Sequence, residues 1–183
     1  MIKNIVLNLP KLFNPQESVY TEISKYSKEY VKTLTEEERK AIFVYSSSGY
    51  KAINYRLRKQ NYATSATLID SGLDKFYFDK PFKVYRKLTI HSGLKEFLEN
   101  CKQTGYILDK AYQSSSMLIT GYDINYDVIL EIDIENPSCG AFIKPICFEP
   151  REEEFLIKRN TKLDIENISQ IDFDCYEIKC KIK

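Results

Sequence analysis

The pattern of apolar and polar positions divides the chain near residue 80. Before that point apolar residues recur with a helical period. Val19, Ile23, Tyr26 and Tyr30 are spaced by four, three and four residues, which places them on one face of a helix. Thr35-Glu36-Glu37-Glu38 is a capping-box pattern, in which the threonine hydroxyl and the glutamate three residues later satisfy each other's free amides. It opens a second helix burying Ala41, Ile42 and Tyr45, and Ser46-Ser47-Ser48-Gly49 is expected to end it. A third helix carries Tyr50, Ile53, Asn54, Leu57 and Arg58, and a fourth covers Ala63 to Leu73.

After Asp79-Lys80-Pro81 the period shortens to that of strands. Phe82-Lys83-Val84-Tyr85-Arg86 alternates, Leu94 to Lys102 reads as a short helix, and Val128 to Ile134 is a strong strand. Ala141-Phe142-Ile143 and Phe155-Leu156-Ile157 are shorter strands, and Lys162 to Lys183 reads as two more. Helices first and strands afterwards predict an α+β domain, with residues 1–80 a mainly helical lobe and 81–183 mainly a β core. No internal repeat is visible.

A length of 183 residues suits one domain spanning 1–183, because two would each be marginal. With 43% hydrophobic and 29% charged residues, disordered and collagen-like classes drop out. The 27 Lys+Arg against 26 Asp+Glu leave a net charge of +1, so no nucleic-acid partner is expected. No apolar run approaches the roughly 20 residues that cross a bilayer. The apolar stretch within Met1 to Pro10 is too short for a signal peptide and lacks a small-residue cleavage site. The expectation is a soluble monomer.

Five cysteines (Cys101, Cys139, Cys147, Cys175, Cys180) form no Cys-x-x-Cys pair, and His91 is the single histidine. A metal centre wants clustered N/S ligands, so none is expected, and the cysteines read as small buried apolar residues. Histidine-dependent nucleophilic catalysis would hang entirely on His91.

Four local features can carry chemistry. Arg86, on a strand, offers a fixed fork of donors that grips a phosphate, or is an ordinary surface arginine. Ser114-Ser115-Ser116 presents adjacent hydroxyls, or is a polar turn. In Arg151-Glu152-Glu153-Glu154, a strand would project Glu152 and Glu154 to one side and Glu153 to the other. Two such carboxylates can divide charge stabilisation from proton handling, and a solvated acidic turn is the plainer alternative. Tyr45, Tyr50, Asn54 and Arg58 share a helical face suited to a nucleotide, or form an amphipathic edge.

Taken in order along the chain, these segments resemble the bacterial ADP-ribosyltransferase exoenzymes. That group holds the Rho-modifying clostridial exoenzymes and the enzymatic domains of actin-modifying binary toxins. The resemblance runs from Leu34 to the C-terminus. It rests on Leu34-Thr35-Glu36-Glu37-Glu38, Tyr45…Gly49-Tyr50-x-x-Ile53-Asn54-x-x-Leu57-Arg58, Val84-Tyr85-Arg86, Ser114-Ser115-Ser116, Gly140-Ala141-Phe142-Ile143 and the Glu-x-Glu signature at Glu152-Glu153-Glu154.

The resemblance implies a two-sheet mixed β core and a mono-ADP-ribosyltransferase that takes NAD as substrate, with accompanying NAD glycohydrolase activity. Arg86 would hold the NAD diphosphate, assisted by Arg58, while Tyr45, Tyr50 and Asn54 line the NAD cleft. Ser114 would orient the catalytic Glu154, and Ser115 and Ser116 would support the strand and the nicotinamide ribose. Glu152 would touch the acceptor, and Phe148 would pack against the target protein. In the family, Glu at the first signature position accompanies arginine acceptors and Gln accompanies asparagine, so Glu152 implies a protein arginine. Single-domain size points instead to the Rho-type, asparagine-modifying members, leaving the target open between a small GTPase and actin. Ser115 replaces the family's threonine, Lys87 follows Arg86, and the loop from Met117 to Asp127 carries no arginine. Tyr122 or Tyr126 would stack on nicotinamide there. The enzyme is expected to be secreted or delivered to a host cytosol, or to act in its own cell. A degenerate binding module and a nucleobase-modifying transferase are the competing readings.

Overall fold

The computed structural model describes residues 15–61, 64–90, 92–118, 126–173 and 175–183. The expectations placed on Met1 to Pro10, Ala63, His91, Tyr122 and most of the loop after Met117 lie outside the described residues. Helix α1 (Pro15–Thr33) buries Ile23 and Tyr30 and half-buries Val19 and Tyr26, the face its spacing predicts. Helix α2 (Glu36–Val44) starts with the predicted capping box: the Glu38 amide donates to Thr35 Oγ1 at 3.2 Å, and the Thr35 amide to Glu38 Oε2 at 2.7 Å. Glu38 is itself buried, and offsets the desolvation with Lys75 and Ser71, each at 2.7 Å.

The serines after Tyr45 do not end the helix. Tyr45–Gly49 form one π-helical turn that runs directly into α3 (Tyr50–Arg58). The Ser46 and Ser47 hydroxyls donate back to the carbonyls of Phe43 and Val44, at 3.0 and 2.9 Å, which keeps the widened turn helical. A Cβ at Gly49 would stand 2.8 Å from Val44 O, so the turn needs a glycine there. Helix α4 (Thr64–Asp74) packs on α2.

The strands are β1 (Phe82–Leu88), β2 (Tyr106–Leu108), β3 (Gln113–Ser116), β4 (Val128–Ile134), β5 (Gly140–Phe142), β6 (Glu154–Ile157), β7 (Lys162–Asp172) and β8 (Cys175–Ile182). Helix α5 (Leu94–Thr104) lies between β1 and β2. Their order is β2-β7-β8-β4-β1-β3-β6-β5, antiparallel except for β4 with β8. Two groups make up the core: β2-β7-β8-β4-β1 and β3-β6-β5, joined at Tyr85↔Ser116. Full ladders on either side and this narrow junction reconcile the expected two sheets with one hydrogen-bonded path.

That junction positions the site. Tyr85 pairs with Ser116, and Ser116 pairs with Glu154, so one line of register crosses β1, β3 and β6. Helix α1 packs on β1 and β5. The five cysteines are free and buried, as their composition predicts.

Candidate active site

A cleft of about 880 Å³ opens over the junction. Its floor comes from the strands through Tyr85, Arg86, Ser114 and Glu154, and one wall from Tyr45 of the π turn and Tyr50 at the start of α3. The segment before β6 forms another part of the rim, contributing Phe148, Arg151 and Glu152. Residues 86, 114 and 154 are remote in the chain but share this one space.

Burial on β3 alternates. Gln113 and Ser115 face the core, while Ser114 is exposed and Ser116 is half-buried. The three serines are therefore not a turn, and their hydroxyls do different things. Ser114 hydrogen-bonds Glu154. Ser115 Oγ donates inward to Phe155 O at 2.6 Å, so this hydroxyl braces the β3–β6 pair from the core side. Ser116 Oγ donates to Glu152 O at 2.7 Å and accepts from the Leu118 amide at 3.1 Å, tethering the acidic segment to the strand.

The acidic run is not a strand throughout. Pro150–Glu152 form a short 3-10 turn, Glu153 is left-handed with φ of 50°, and the strand begins at Glu154. Glu152 and Glu154 still face the same cleft. Glu153 turns away, as expected, but is itself buried and pairs with the half-buried Lys144. Glu154 is only 4% exposed. Burial pushes its carboxyl up to about 7, with Glu152 adding to the rise and Ser114 and Arg86 opposing it.

The Arg86 guanidinium donates from Nη1 to Ser114 O at 2.7 Å. Burial lowers its proton affinity, partly offset by Asp109, Tyr45 and Glu154. The remaining donors of its planar fork suit an anionic group in the cleft. Tyr45 is almost wholly buried within the wall, edge-on to Tyr112 at 5.3 Å, and burial raises its phenol far above the ordinary value. Tyr50 is 41% exposed at the mouth, as is Phe148 at 61%.

Arg58 and Asn54 stand behind the cleft wall and do not line it. Arg58 forms a two-pronged ion pair with Asp109, at 3.0 and 2.7 Å, which satisfies its charge. Asn54 is buried and donates to Tyr45 OH at 3.0 Å and to Tyr112 O at 3.3 Å. Of the two, Asn54 touches the lining residue Tyr45, and neither is among the residues that line the cleft. Asp109, which accepts from Arg58 and from the Ala111 amide, had no signal in the sequence, because its partner lies 51 residues away. Ser46 was also missed: its hydroxyl accepts from the Phe148 amide at 2.9 Å, tying the π turn to the segment before β6. Tyr126 lines the cleft, with Lys87 Nζ 5.1 Å from its ring centre. Among the described residues no group of three or more His, Cys, Asp or Glu is gathered to hold a metal.

The profile of the ADP-ribosyltransferase exoenzymes matches residues 23–181. The chain belongs to that family. No curated protein matches its sequence. Among solved structures, Plx2a, an ADP-ribosyltransferase toxin from Paenibacillus larvae, is similar at 23% identity and a TM-score of 0.77, covering 92% of this chain and 96% of that one. C3stau2 from S. aureus, solved with NAD, is 17% identical with a TM-score of 0.70, covering 89% and 95%. The enzymatic component C2-I of the Clostridium botulinum C2 toxin is 21% identical with a TM-score of 0.73, covering 90% of this chain but 46% of its own. At these identities the likeness is one of fold. As an ADP-ribosyltransferase of this family, the chain places its Arg, Ser-x-Ser and Glu-x-Glu segments around a single cleft.

Proposed function

We propose that this chain transfers ADP-ribose from NAD to a protein arginine and releases nicotinamide. The observation that carries the reading is that Glu152 and Glu154 line one cleft with Arg86, Glu154 being buried and hydrogen-bonded by Ser114. Arg86 would hold the NAD diphosphate through its two-pronged donors. Tyr45 and Tyr50 would form the wall beside the nucleotide, and Tyr126 would stack near the nicotinamide.

Breaking the bond between nicotinamide and ribose develops positive charge on the sugar. Ionised Glu154 would stabilise that charge, an interaction worth about 3–4 kcal/mol, or roughly 10²–10³ in rate. Ser114 keeps the carboxylate in one orientation before the reaction begins. Glu152, a carboxylate at the rim, would pair with an incoming guanidinium and take its proton as the new C–N bond forms. Free arginine stays protonated in water, so this proton leaves late. Without an acceptor, water would take the ribosyl group, giving NAD glycohydrolase activity. Phe148 would meet the protein target at the mouth. That target would be a small GTPase or actin, reached by secretion or delivery into a host cytosol.

Incubation with labelled NAD and agmatine, a small guanidine, tests this reading. ADP-ribosyl-agmatine and nicotinamide should both form, and neither above background with Glu154→Gln. Label on an asparagine of a GTPase, and none on agmatine, would overturn the acceptor assignment.

A further inference from the structure

Glu153 sits between the two cleft carboxylates yet does not face the cleft. Its Oε2 accepts from Tyr20 OH at 2.5 Å, and its Oε1 accepts from Lys144 Nζ at 2.5 Å. Lys144 Nζ also donates to Tyr20 OH at 3.1 Å, so the three groups close a ring of hydrogen bonds. Glu153 is 8% exposed, and the Tyr20 ring packs edge-on to Phe142 at 6.1 Å. The pairing draws the Lys144 ammonium further toward its charged state, chiefly through the bond it donates to Glu153.

Lys144 and Glu153 also mark the two ends of the rim segment. Between them run Phe148, Arg151 and Glu152, which line the cleft. The ion pair therefore closes the neck of this loop, and Tyr20 ties the neck to α1. Glu153 holds a left-handed backbone, φ 50° and ψ 48°, which a non-glycine residue adopts at a conformational disadvantage. Something must hold it there, and the Met117 amide donates to Glu153 O at 3.0 Å.

We propose that Glu153, Lys144 and Tyr20 form a clamp that positions Glu152 against the acceptor, making the middle glutamate and helix α1 part of the transfer machinery. The inference rests on the arginine-transfer reading given above. Glu154 is held within the sheet, by its place in β6 opposite Ser116 and by the Ile143 amide on its carbonyl at 3.0 Å. Glu152 lies one residue before the clamp, in a turn outside the sheet, with Ser116 Oγ on its carbonyl at 2.7 Å as its tie to β3. Loosening the neck should therefore displace Glu152 while leaving Glu154 in place. None of the three is a catalytic residue; each acts through the geometry of Glu152.

The test uses the full chain with two variants. Tyr20→Phe deletes one hydroxyl and keeps the ring against Phe142. Lys144→Met combined with Glu153→Gln removes both charges together, so that no lone buried charge unfolds the protein. Each variant is assayed for NAD hydrolysis, for transfer to agmatine, and for amide hydrogen exchange across residues 148–153. Both variants should lose about tenfold in transfer with hydrolysis within about twofold, as a misplaced reacting group would. Exchange across 148–153 should quicken, and Lys144→Arg should retain the wild-type ratio. Unchanged exchange overturns the clamp, as does a transfer-to-hydrolysis ratio equal to wild type. Should the wild-type chain transfer nothing to agmatine, the arginine reading fails by itself. Exchange alone then decides the clamp: faster exchange in both variants supports it, and unchanged exchange overturns it.

Discussion

Arg86 donates its guanidinium proton to the backbone carbonyl of Ser114, the residue whose hydroxyl hydrogen-bonds Glu154. One serine thus fixes the separation between the cation and the carboxylate on the cleft floor. The remaining chemistry is arranged around that pair.

Glu154 should set the acid limb of the pH profile. Its carboxyl lies near 7 in the fold, so it is protonated and inactive below that pH and ionised above it. NAD hydrolysis measured as kcat/KM should rise with pH through a midpoint near 7. Because Glu152 contributes to the elevation, Glu152→Gln should move the midpoint downward. A flat profile between pH 5 and 8 would show that another group controls the step.

The same elevation makes the site a source of instability. The folded value of about 7 exceeds the ordinary 4.5, so the fold disfavours the ionised form. Stability from this group is greatest below pH 4.5, declines as pH rises toward 7, and is level above. Glu154→Gln should therefore stabilise the protein at pH 8 by about 3 kcal/mol, with the gain vanishing near pH 4. Urea denaturation at the two pH values measures it, and an equal effect at both would refute the linkage.

Glu152→Gln should separate the two activities. Transfer to a guanidine acceptor should fall by at least about 10², while NAD hydrolysis stays within a few fold, because the amide cannot match the guanidinium charge. Equal loss of both would place Glu152 in the ribosyl step.

Arg86→Lys replaces a planar fork with a point charge. NAD affinity, read by titration calorimetry, should weaken by about tenfold. Full affinity would mean that a different cation holds the diphosphate.

Gly140→Ala tests the β5–β6 contact. A Cβ there would stand 2.4 Å from Leu156 O and 2.8 Å from the Phe155 ring, and neither the strand backbone nor the buried ring has room to move. A loss of about 3 kcal/mol or more is expected in chemical denaturation, and an unchanged midpoint would show that the strands separate easily.

Local periodicity determined much of this protein. The helical face of Val19, Ile23, Tyr26 and Tyr30, the Thr35–Glu38 cap and the strand at 128–134 each depend on neighbours within a turn or a pleat, so sequence spacing is enough to expose them. The order of Arg86, Ser114 and Glu154 also pointed to the family, because motif spacing survives where overall identity does not. Tertiary structure alone decided which of these groups share a space and what each is bonded to. Ser115 faces inward because of its register on β3, Arg58 is held by an aspartate 51 residues away, and Ser46 to Gly49 stay helical through a π turn. Glu153 is the sharpest case. In sequence it is a spacer between two carboxylates, and only the approach of Tyr20, 133 residues distant, makes it a buried anchor. Hydrogen bonds and ion pairs between remote segments leave no periodic trace, so they become legible only once the chain has folded.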